Sequence, residues 1–124
     1  MNVFPKILLL DGDEAVRTAL AFSLELQDYL VVSCAEPEEL VALARGGDAD
    51  CIVIDHRPGT LGAMFLHETL RSSGICAPII ITATYPRQSL VQAAVAAGAV
   101  LIEKPLLADD LAACIATCIA RQAA

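Results

Sequence analysis

Five short apolar runs punctuate the chain, at 6–10 (KILLL), 30–34 (LVVSC), 51–55 (CIVID), 79–82 (IIIT) and 100–103 (VLIE). They are aliphatic or β-branched almost throughout, with none of the polar alternation of a strand that has one wet face. Such runs fit strands buried on both faces of a parallel sheet. Between them, segments 14–27, 36–45, 61–72, 86–97 and 107–121 carry helical spacing. In the first, Val16, Ala19, Leu20 and Leu24 share a face that Phe22 and Leu26 widen along one edge, with Ser23 and Gln27 as polar interruptions. The second opens with EPEEL, where Pro37 suits a first helical turn and the acids suit the positive end of the helix dipole.

Strands alternating with helices specify an α/β fold. Right-handed crossovers with helices on both faces leave few topologies. The expected architecture is the flavodoxin-like doubly wound five-stranded parallel sheet, order 2-1-3-4-5, with five helices. Gly46-Gly47 and Gly98 fall just past helical patterns, where a left-handed C-cap is wanted. With 124 residues and no linker, repeat or low-complexity tract, residues 1–124 read as one domain.

Composition excludes several function classes. At 56% hydrophobic and 19% charged the chain is neither disordered nor collagen-like. A net charge of −7 leaves no electrostatic footprint for binding nucleic acid directly. The apolar ILLL stretch is too short for a signal segment, and 93–102 and 111–120 are about half a membrane span. A cytoplasmic protein that does not enter membranes is expected. Cys34, Cys51, Cys76, Cys114 and Cys118 form no CxxC pair, and their odd number among apolar neighbours reads as buried free thiols.

In an open parallel sheet, ligands bind beyond the carboxyl ends of the strands. There the first strand delivers Asp11, followed by Gly12, Asp13 and Glu14. The third delivers Asp55, the fourth Thr82, and the fifth Glu103-Lys104-Pro105. Two carboxylates about 5 Å apart repel by roughly 3 kcal/mol at an effective dielectric near 20, so a cation must compensate. Either the Lys104 ammonium or a divalent metal would serve, and oxygen ligands suit Mg²⁺. A phosphoryl group arriving at Asp55 would find Lys104 and Thr82 for its oxygens, with small Ala83 leaving room. Singly, each residue has an ordinary explanation: Asp13 or Glu14 as a helix cap, Thr82 as a β-branched strand residue, Lys104 as a surface cation. Together at four strand ends they point to a site.

The segments LLLDGDEAVRTAL, CIVIDHRPG, PIIITA and AAGAVLIEKPL resemble the receiver domain of two-component response regulators, over essentially the whole chain. DEAVRTALAF and GAVLIEKP are most similar to receivers of nitrogen-fixation-type transcription regulators. The resemblance implies that Asp55 is the phosphoacceptor, Asp11 an acidic-pocket residue, Thr82 the switch hydroxyl and Lys104 the phosphate-binding lysine. It also implies a cis peptide before Pro105. Bound Mg²⁺ would be held by Asp11, Asp55 and the backbone carbonyl of Arg57. Three positions depart from the family. Gly12 replaces the second acid after the first strand, normally a direct Mg²⁺ ligand, which loosens the turn and leaves Asp13 as the substitute ligand. The loop DHRPGTLG is one residue short. Leu101 stands where an aromatic is common. Weak Mg²⁺ binding is the expectation.

Two functions follow. In the first, a histidine kinase or phosphotransfer protein phosphorylates Asp55, and the charge reorganises a face built from the fourth helix, fifth strand and fifth helix. That face would meet an output domain, a downstream protein or a second copy in a homodimer. The fifth helix is read as supporting it, with Leu111, Ile115 and Cys118 on one stripe and Ala112, Ala116 and Ile119 on a second apolar face. The domain would be a phosphoacceptor, not an enzyme acting on other molecules. The alternative is a phosphorylation-independent pseudo-receiver, a protein-interaction module favoured by Gly12 and the short loop. A nucleotide binder is disfavoured, because DGDE would repel a phosphate and no GxGxxG or GxxxxGK[ST] is present. His56 and His67 are expected to serve packing or the surface.

Overall fold

The computed structural model describes residues 4–58, 62–104 and 108–123. Strands β1 (Lys6–Leu10), β2 (Leu30–Cys34), β3 (Cys51–Asp55), β4 (Ile79–Ala83) and β5 (Val100–Glu103) alternate with helices α1 (Glu14–Leu26), α2 (Pro37–Ala44), α3 (Gly62–Ser72), α4 (Gln88–Ala97) and α5 (Ala108–Ala123). All strand pairs are parallel, in the order β2-β1-β3-β4-β5. This is the expected doubly wound flavodoxin-like fold.

The pleat sorts the strands' side chains into two cores. Leu8 and Leu10, Ile52 and Ile54, and Ile79 and Ile81 join Leu40, Leu66, Leu70 and Ala94 of α2, α3 and α4 on one face. Ile7 and Leu9, Cys51 and Val53, and Ile80 join Leu24 of α1 and Leu111, Ala112, Ile115 and Cys118 of α5 on the other. Burial on both faces holds for the central strands β1, β3 and β4. It fails for β2 and β5, which as sheet edges are only partly covered.

Two helical expectations need correction. Phe22 and Leu26 do not widen the buried stripe of α1: they are 63% and 70% exposed, and Leu20, Ala21 and Leu24 face the core instead. On α5, Ala112 is buried and Ile119 packs against the same core, leaving Ala116 outside. The second apolar face of α5 is thus mostly interior, and it offers no argument for a docking surface. Gly98 is the left-handed C-cap of α4 (φ 76°). The C-cap of α2 is Arg45 in the right-handed region, and Gly47 supplies the positive φ (82°) two residues later. No helix among the described residues is long and apolar enough to cross a membrane.

Candidate functional site

Asp11, Asp55, Thr82 and Lys104 converge at the carboxyl rim of the sheet. Each extends its strand's alternation on the α1/α5 side: 7, 9 and 11 in β1, 51, 53 and 55 in β3, 80 and 82 in β4, 100, 102 and 104 in β5. Register partners in parallel strands face the same side, and the pairs Leu9–Val53, Asp55–Thr82 and Thr82–Ile102 put these ends on one face.

Lys104 Nζ lies 2.9 Å from Asp55 Oδ1 and 3.0 Å from Asp11 Oδ2. The three side chains are 17%, 14% and 2% exposed respectively. The Thr82 hydroxyl donates to Asp55 Oδ1 at 3.0 Å. Asp11 Oδ1 accepts the Asp13 N–H at 2.9 Å, so both of its oxygens are engaged. Burial works against the Lys104 ammonium, but the hydrogen bonds and charges of Asp55 and Asp11 outweigh it and hold the Lys104 pKa above its ordinary value. The two carboxylates are therefore bridged by one ammonium.

Neighbouring residues hold the frame. Asp13 Oδ1 accepts the Val16 N–H at 3.1 Å, which makes Asp13 the N-cap of α1. The Arg17 guanidinium donates to the Asp11 carbonyl at 2.8 Å. His56 Nδ1 accepts the Ala63 N–H at 3.2 Å, tying the end of β3 to the first turn of α3. That support was not foreseen for His56, because nothing in the sequence fixes which way a loop imidazole turns. His67 packs into the protein, as expected of it, with its Nε2 buried and unpartnered among the described residues.

Gly12 differs from expectation. Its φ is not left-handed, so the backbone does not require glycine there. A Cβ at Gly12 would meet Nη2 and Cζ of Arg57, with Nη1 2.7 Å away, so a side chain there would displace the far end of the Arg57 side chain. Arg57, expected to contribute a carbonyl, thus also places its guanidinium over Gly12. Gly12, Asp55 and Arg57 line one cavity of about 370 Å³ that continues between α2 and α3 past Val41, Ala63 and Leu66. Pro105, with its expected cis peptide, and residues 59–61 of the shortened loop lie outside the described residues.

The profile of the response regulator receiver domain matches residues 7–116. The chain belongs to the receiver domain family. Receiver domains are phosphoacceptor signalling domains of two-component systems. A receiver domain from Clostridium thermocellum superposes with a TM-score of 0.89 at 21% identity, covering 96% of this receiver domain and 97% of that chain. A CheY-like receiver domain from Methanospirillum hungatei gives 0.88 at 22% identity, covering 96% of each chain. These likenesses carry the fold. The transcriptional regulatory protein AfsQ1 of Streptomyces coelicolor is 41% identical over 51 residues, which span 41% of this chain and 23% of that protein.

Receiver domains generally bind Mg²⁺ at their acidic pocket. In this receiver domain the donor set does not fit a resident Mg²⁺. No group of three His, Cys, Asp or Glu side chains is placed to hold a metal among the described residues. Asp11 has both oxygens engaged, Asp13 is a helix cap, and a guanidinium stands where a carboxylate at position 12 would project.

Proposed function

We propose that this receiver domain accepts a phosphoryl group on Asp55 from the phosphohistidine of a histidine kinase or phosphotransfer protein. The observation carrying this reading is that Lys104 and Thr82 both bind Oδ1 of Asp55. Oδ2 then remains as the nucleophile. Oδ2 forms a bond to phosphorus while the P–N bond of the donor breaks. The electron pair goes to the imidazole nitrogen, which takes a proton from solvent. Lys104 and Thr82, already aimed at the carboxylate, can follow the charge onto the phosphoryl oxygens, so little reorganisation is needed. The domain is a phosphoacceptor in the cytoplasm, not an enzyme turning over an external substrate.

The added charge would redirect Lys104 and so alter the face of α4, β5 and α5, where Val95 of α4 is 73% exposed and Tyr85, just before it, 88%. An output domain or separate protein would bind there, or a second copy would dimerise through it. The AfsQ1 name, a transcriptional regulatory protein, agrees with such an output. The net charge of −7 disfavours DNA contact by this domain itself.

Incubation with acetyl phosphate, with and without Mg²⁺, followed by intact mass spectrometry, tests this. One added phosphoryl group is expected, abolished in Asp55→Asn. Gly12 beneath Arg57 favours a second reading, the phosphorylation-independent interaction module. No modification under any metal condition would establish that reading in place of the first.

A further inference from the structure

The geometry points to Arg57 as a built-in cation that takes the place of the divalent metal and receives the oxygens of the incoming phosphoryl group. The inference rests on the phosphoacceptor reading and specifies how that site manages charge. Three observations carry it.

The first is the fit of Arg57 to Gly12. The guanidinium occupies the volume where a side chain at position 12 would project. A cation thus stands where the second acid of the family would be. The second is charge. Lys104 pairs with both Asp11 and Asp55, and the Arg57 guanidinium over Gly12 brings a second cation to the rim. A divalent cation entering beside a guanidinium would be repelled, and it would lack the carboxylate that a Gly12 position cannot supply. The third is placement. Gly12, Asp55 and Arg57 line the same cavity, so the guanidinium borders a space that the phosphoacceptor also borders. A planar guanidinium with several N–H donors binds two phosphoryl oxygens at once and stays charged at every working pH.

Two measurements on the full chain test this. In calorimetric titration with MgCl₂, the wild type is expected to show no saturable binding at millimolar metal. The double variant Gly12→Asp/Arg57→Ala, which returns the carboxylate and removes the cation, is expected to gain it. In labelling with acetyl phosphate, the wild type is expected to modify equally fast in EDTA and in Mg²⁺. Arg57→Ala should be slower by on the order of 100-fold in EDTA. Arg57→Lys, which keeps charge but not the fork, should fall between them, and the double variant should require Mg²⁺. Wild-type labelling that is abolished by EDTA, or Arg57→Ala labelling at the wild-type rate in EDTA, would overturn the inference. If no form is labelled, the phosphoacceptor reading fails and the titration decides alone. Saturable Mg²⁺ binding by the wild type, unchanged in Arg57→Ala, would then refute the built-in cation, and binding gained only by the double variant would support it.

Discussion

Asp55 and Thr82 are register partners on β3 and β4, and the threonine hydroxyl closes the pair by donating to Asp55 Oδ1 at 3.0 Å. Thr82 is buried, so its hydroxyl meets the carboxylate away from solvent. Thr82→Ala should lower stability by about 1.5–3 kcal/mol, the usual worth of a hydrogen bond to a charged group. Thr82→Ser should recover most of it. Urea denaturation of the three forms measures the difference, and equal midpoints for Thr82→Ala and wild type would contradict it.

Lys104 is the cation that permits Asp11 to be buried. Lys104→Met leaves both carboxylates with no ammonium between them, a loss of about 3–5 kcal/mol for a broken buried pair. Asp11→Asn in that background should restore a large part, because the unpaired charge has gone. Lys104 has its pKa raised in the fold, so its stabilising effect is complete below the ordinary value of 10.5 and is lost as pH climbs through the raised one. The gap in stability between wild type and Lys104→Met should therefore stay constant at neutral pH and narrow in strongly alkaline buffer.

His67 carries a pH dependence of the opposite sense. Burial, with a smaller contribution from the Arg71 charge, pushes its pKa below the ordinary value of 6.5. As pH falls below that value the unfolded chain takes up a proton that the folded imidazole refuses, so stability drops with acidity. Urea midpoints of wild type and His67→Met should diverge between pH 7 and 5, with the wild type losing more. Parallel curves would show that His67 stays exposed to protonation when folded.

The cysteines should differ sharply in reactivity. Burial, with weaker electrostatic contributions from neighbouring thiols or acids, pushes the thiols of Cys34 and Cys114 up to about 11 and that of Cys51 to about 12. Cys118 is buried, whereas Cys76 is exposed. Thiolate is the reactive form. A thiol reagent applied to the native protein should modify one cysteine rapidly, and Cys76→Ser should remove that phase. Rapid labelling of a second site in the variant would show that the core opens more readily than its packing implies.

Much of this architecture was legible from the sequence, because parallel strands buried on both faces leave unbroken aliphatic runs. The strand bounds match the runs, with β4 one residue longer, and each helix lies within two residues of its periodic segment. The clustering of Asp11, Asp55, Thr82 and Lys104 was equally legible, since strand ends in such a sheet meet at one rim. Phe22 and Leu26 were misplaced because an apolar side chain on a helix need not be interior, and at about 100° per residue both fall opposite Leu20 and Leu24. The direction of the Arg57 side chain had no signature at all. Periodicity reports which face of an element is buried, whereas the reach of a guanidinium from one loop across to another strand's end depends on the assembled rim. Gly12 accordingly read only as a loosened turn and a missing acid, and nothing indicated that the Arg57 guanidinium lies where its side chain would be.

Lys104 follows the border strand β5, where its N–H donates to the Ala83 carbonyl at 2.8 Å, and its ammonium reaches past β4 to Asp55 at the end of β3 and Asp11 just after β1. One side chain thus clasps the sheet from its margin to its middle. Whatever draws that ammonium more tightly toward one acid must slacken its grip on the other. A change of charge at the centre would thereby be felt at the border.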